Sequence, residues 1–163
     1  MTRLRATHEA DLDWVLALER DPANTPYIGS WTRAEHAAAI AAPDREHWTI
    51  ERTDDAARVG YLIAFDLRAR GHGVYVKRIV VADKSRGLGR DALRCFVARA
   101  FDELGATHVW LTVYRENERA QRSYRALGFA IQDPAPARRA ELHAAVSGFS
   151  EKSFVMVLER SAR

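Results

Sequence analysis

The sequence predicts an α/β (α+β) chain built on a central mixed, mostly antiparallel sheet of about seven strands, flanked by about four helices. Three observations predict it. Two amphipathic stretches of helical period stand before any strong strand; β-branched and apolar runs separated only by turns then follow, as in an antiparallel meander; and from Gly87 onward helical and strand periods alternate. The 163 residues, 47% of them apolar, fit one domain spanning 1–163. A domain of this size buries roughly two thirds of its unfolded surface.

In order, Leu4 to Ala6 reads as a short first strand, and Glu9 to Arg20 places Leu12, Val15, Leu16 and Leu18 on one side of a helix. Asp21, Pro22, Asn24, Pro26 and Gly29 break it. Thr32 and Glu35 form a capping-box pattern for a second helix that stops before Pro43. "HWTIER" and "VGYLIAFDL" make a hairpin around "TDDAAR", "RARGHG" turns the chain, and Val74 to Ala82 gives the next strand. Leu93, Phe96, Val97, Ala100, Phe101 and Leu104 then recur at helical spacing up to Gly105. "THVWLTVY" is a strand, "ENERAQRSYRAL" a helix ending at Gly128, and "GFAIQ" and "SFVMVLER" are strands. Between the last two, "DPAPARRAELHAAVSGFSEK" reads as a loop carrying a helical turn or two.

A formal charge of +3 does not call for nucleic acid, and the cations are dispersed without interleaved stacking aromatics. Cys95, the sole cysteine, excludes an internal disulfide and a cysteine-based metal site, and no metal is expected. No apolar run approaches the roughly 18 residues of a membrane span, and the first residues lack a signal-peptide core. A soluble, cytoplasmic protein is the expectation.

The stretch "DKSRGLGRDALRCF" carries the chemistry. A strand ending near Val81, a turn with Gly87 and Gly89 and a helix start together aim unpaired backbone N–H groups at one point, where an anion is favoured. Lys84, Arg86 and Arg90 add charge that suits a diphosphate. The Walker loop is excluded, because "KSRGLGRDA" lacks its Gly-Lys-Ser/Thr ending. Gly87, Gly89 and Ala92 do fit the dinucleotide fingerprint, but no acidic residue ends the next strand to hold a ribose.

A third scheme, Arg/Gln-x-x-Gly-x-Gly/Ala after a fourth strand, followed by a strand, an Asn and a Tyr near Gly-Phe, matches Lys84 to Gly89 and "LTVYRENERAQRSYRALGF". On these motifs the sequence resembles the GNAT superfamily of acetyltransferases, with order and spacing matched over Val74 to Ile131. It departs at Lys84, where the family has Arg or Gln, so either Lys84 or Arg86 contacts the pyrophosphate.

The resemblance implies that the fourth and fifth strands splay and that acetyl-CoA is the cosubstrate. It implies a coenzyme site of Ile79, Val81, Lys84, Arg86, Gly87, Leu88, Gly89, Arg90, Asn117 and Ser123, with Tyr124 as the general acid for the departing thiolate. A fourth-strand amide would serve the oxyanion. By its place at a helix start Asn117 also reads as an N-cap, and Tyr124, seven residues on, shares its face. The fourth strand offers no carboxylate base; Asp66, His72, Glu19, Glu46 and Glu116 remain as substitutes. Tyr27 and Trp31 are candidates for an acceptor wall. The expected activity is direct N-acetylation of an amine, on a small molecule or a protein N-terminus. The alternative is a catalytically silent acyl-CoA sensor or interaction module. No nucleic-acid or membrane partner is expected, and a homodimer is possible by family habit.

Overall fold

A computed structural model describes residues 1–68, 73–84, 86–146 and 148–161. His72 and most of the "RARGHG" turn lie outside the described residues. Strand β1 (Thr2–Ala6) leads through a 3₁₀ turn (Glu9–Asp11) into α1 (Leu12–Arg20) and α2 (Arg33–Ala41). Strands β2 (Glu46–Arg52), β3 (Arg58–Phe65) and β4 (Val74–Val81) form the meander. Then α3 (Leu88–Asp102), β5 (His108–Tyr114), α4 (Glu118–Arg125), β6 (Ala130–Ile131), α5 (Pro136–Ala145) and β7 (Ser153–Glu159) complete the chain. The strands join in one sheet of order β1-β2-β3-β4-β5-β7-β6. Among the described residues only the β4–β5 pair is parallel, as an intervening crossover helix requires.

Side-chain alternation along β3 divides the core. Leu62 and Ala64 face α3, where they meet Leu93, Phe96 and Ala100. Tyr61 and Ile63 face the opposite side, against Leu12, Val15 and Leu18 of α1. Each fully buried Leu, Ile or Phe of this kind is worth about 1.5–3 kcal/mol. The capping box at α2 forms as the sequence indicates: Glu35 N–H donates to Thr32 Oγ1 at 3.2 Å, and Thr32 N–H donates to Glu35 Oε2 at 2.7 Å.

The difference lies in α5, a ten-residue helix where the sequence suggests a loop with a turn or two. Pro136 stands at its start, where a missing N–H costs nothing. Its packing is tertiary: Leu142 docks with Phe149 and Val155 around Tyr75 and Trp110, whose rings stack at 4.1 Å.

Candidate active site

The site begins with an irregularity in β4. Pairing with β3 runs Leu62↔Ile79 and Ile63↔Arg78, then slips to Ala64↔Val76, so Lys77 is the extra residue of a β-bulge. Core-facing residues change phase across it: Val74 and Val76 precede, Ile79 and Val81 follow, all packed on the α3 side. Pairing with β5 is confined to Val74, Tyr75 and Val76 and stops at the bulge. Beyond it the strands splay. Ala82 N–H donates to Val59 O on β3 at 2.8 Å, so by alternation Val80 turns its backbone to β3 while Ile79 and Val81 turn theirs toward the gap.

A cavity of about 410 Å³ occupies that gap. At one end stands the N-terminus of α3. Gly87, with φ of +74°, caps it in the left-handed region that favours glycine, and among the described residues no side chain caps its first N–H groups. Gly89 is different. A Cβ there would meet only Val81 methyls at 3.5 and 3.7 Å, an ordinary contact, so the fold itself does not require glycine. What glycine leaves free is room over exposed amides, and that suits close approach by a phosphate. Lys84 and Arg90 line the same end. The Lys84 ammonium is tied to the α1–α2 loop, donating to Ala23 O at 2.7 Å and to Asn24 Oδ1. Arg86 lies outside the lining and pairs with Asp83 at 2.8 Å.

Helix α4 forms the wall across from β4. Asn117 is its N-cap, accepting from Ala120 N–H at 3.2 Å, which leaves its NH₂ group to offer to the cavity it lines. Ser123 and Tyr124 line the cavity further along, and Tyr124 packs against Phe129 with ring centres 6.1 Å apart. Burial, with a smaller contribution from Tyr75, pushes the Tyr124 hydroxyl up to about 12, so it stays protonated at neutral pH. Of the sequence-derived set, Ile79, Val81, Lys84, Gly87, Leu88, Gly89, Arg90, Asn117, Ser123 and Tyr124 all line this one cavity. Arg119, two residues past the Asn117 cap in the first turn of α4, lines it too.

The far end is built from β4 and the loop before α2. Tyr27, Ile28 and Gly29 line it with Tyr75, Lys77 and Arg78. Trp31 does not line it; its indole lies under the Arg78 guanidinium at 5.0 Å and stacks on Phe65 at 6.0 Å. Burial, with the Arg78 charge second, lowers Lys77 to about 8. Of the acids considered as a base, Asp66, Glu46 and Glu116 are absent from the lining. Glu46 holds Arg99 at 2.5 Å. Glu19 sits behind Arg78, 1% exposed, and accepts from Arg78 Nη1 at 2.7 Å, Tyr61 Oη at 2.9 Å, His36 Nε2 at 3.0 Å and Trp31 N–H. Despite burial, these donors hold its carboxyl below the usual carboxylate range. An acid so saturated with donors is placed to anchor Arg78.

The anchor continues inward. His36 Nδ1 and His47 Nε2 are 3.0 Å apart, and His47 Nδ1 meets Thr7 Oγ1 at 2.9 Å. Because Glu19 only accepts, His36 donates to it at Nε2. Burial foremost, then the neighbouring His36 and Arg78, pushes His47 down to about 3. Unfolded histidine titrates near 6.5. Between those values the unfolded chain binds a proton that the folded one refuses, so this contribution is complete above about pH 6.5 and is lost as pH falls. Stability should therefore drop by up to about 1.4 kcal/mol per pH unit below pH 6. Urea unfolding at stepped pH measures it, with a shallower slope expected for His47→Asn; a flat profile from pH 7 to 5 would contradict the buried neutral ring.

Residues 2–130 match the sequence model of the acetyltransferase (GNAT) domain. The chain belongs to the GNAT acetyltransferase family. No curated protein sequence matches it. Among solved structures, this GNAT protein is similar to the spermidine N-acetyltransferase from Vibrio cholerae in complex with CoA and spermine. That likeness has a TM-score of 0.77 at 16% identity, covering 97% of this chain and 95% of that one. An acetyltransferase from Thermus thermophilus gives 0.71 at 20%, covering 98% and 97%. A domain from Methanocaldococcus jannaschii gives 0.74 at 14%, covering 98% and 99%. At such identities the likeness carries the fold. Among the described residues, no helix is long and apolar enough to cross a membrane.

Proposed function

We propose that this GNAT acetyltransferase uses acetyl-CoA to acetylate a primary amine directly, in the cytoplasm, where its lone Cys95 would stay reduced. The observation that carries the reading is a continuous one. The open edge of β4 leads from the bare N-terminus of α3 to Tyr124 inside one cavity. The amides of Leu88, Gly89 and Arg90, with Lys84 and Arg90 side chains, would hold the diphosphate. Backbone groups of Ile79 and Val81 would pair with the pantetheine amides as a substitute strand, joined by the Asn117 NH₂. Bound there, acetyl-CoA supplies an acyl group activated as a thioester. Tyr124, kept protonated by burial, would hand its proton to the departing sulfur.

Tyr124→Phe tests that role. Turnover is expected to fall on the order of 10²-fold, with the coenzyme A dissociation constant unchanged by calorimetry. Unchanged turnover would remove Tyr124 as the acid. A second reading, a silent acyl-CoA sensor, draws on the far end of the cavity, whose described lining holds no carboxylate. Coenzyme A binding without thiol release across an amine panel would favour it.

A further inference from the structure

We infer, building on the acetyltransferase reading, that the acceptor is an amine that also bears a carboxylate, and that Arg78 binds this carboxylate. Strand β4 runs toward the glycine turn, and Arg78 stands three residues before Val81, about 10 Å back along the strand. That places it at the acyl end of the cavity, away from the anion-binding helix start. Its guanidinium is fixed rather than free. The side chain is 5% exposed, Nη1 donates to buried Glu19 at 2.7 Å, and the group lies over Trp31.

Arginine has five N–H donors in a rigid plane, and Glu19 engages it from behind. Nη2 lies beside Gly29, which also lines the cavity; a Cβ at Gly29 would stand 3.4 Å from it, so the absent side chain keeps that edge open. Glu19 engages the fork at Nη1 while also accepting from Tyr61, His36 and Trp31. Lys77 adds a second cation to the same end. Among the described lining residues the only acid is Asp83, at the opposite end and paired with Arg86 at 2.8 Å. A polycation has nothing to pair with there, whereas a carboxylate meets a pre-set planar fork.

The test compares amino acids with their carboxamides, which keep the amine and lose the charge, and with spermidine, at saturating acetyl-CoA. Acids are expected to show kcat/KM at least tenfold above their amides, with spermidine lowest. Arg78→Gln should raise KM for the acid and leave both the amide's KM and that of acetyl-CoA in place. Since Arg78→Gln strands Glu19 and endangers folding, the acid-to-amide ratio of the unaltered protein decides by itself. Amides or spermidine acetylated as well as the acids would overturn the carboxylate and leave the acetyltransferase intact. Absence of coenzyme A binding, or of transfer to any amine, would overturn the reading beneath it and this inference with it.

Discussion

Replacing Gly89 with leucine is expected to leave the protein folded while raising the coenzyme A dissociation constant at least 100-fold, about 2.8 kcal/mol. The two halves of this expectation have separate causes. Gly89 has an ordinary backbone conformation, and a Cβ would find only the Val81 methyls at van der Waals distance. Leucine also favours the helix more than glycine does. Melting temperature should therefore hold or rise slightly. The added side chain would instead stand over the first N–H groups of α3, which no side chain among the described residues caps. Gly87 cannot serve for this experiment, because its φ of +74° would strain any replacement and confuse instability with lost binding. Calorimetry beside thermal unfolding separates the two quantities. Tight binding by Gly89→Leu would mean that the diphosphate sits elsewhere.

Glu19→Ala is expected to cost about 3–5 kcal/mol of stability, the range for removing one partner of a buried ion pair. Whole domains are stable by only about 5–15 kcal/mol. The loss strands Arg78, 5% exposed, and removes the acceptor for Tyr61, His36 and Trp31 at once. Glu19→Gln keeps a carbonyl acceptor but no charge, so it should fall between the two. Urea unfolding at pH 7.5 measures both. A loss below about 1 kcal/mol would show that water replaces the carboxylate and that Arg78 is not held as described.

Legibility followed sequence distance. The glycine turn, Asn117 and Tyr124 are local patterns, since two glycines at a strand-to-helix junction and two residues seven apart on α4 constrain each other through the backbone alone. Sequence reading left Lys84 and Arg86 open because both flank the turn. In the structure Lys84 lines the cavity with its ammonium bonded to the α1–α2 loop, and Arg86 pairs with Asp83. For Trp31 the sequence left an acceptor wall and buried packing both open, and the contact with Arg78 and Phe65 is the packed outcome. The bulge at Lys77 did leave a trace, the shift of the apolar phase between Val76 and Ile79, but with no glycine to mark it.

By itself the sequence determined the order of helices and strands, the caps at Thr32 and Asn117, and a turn able to bind an anion, because each depends on neighbours within a few residues. Tertiary structure decided where the sheet opens and what charge faces the acceptor. The opening depends on how β3 pairs across an extra residue, and the charge depends on a Glu19–Arg78 contact between residues 59 apart in the chain. No local pattern encodes either, since both exist only once the sheet and α1 have closed on one another.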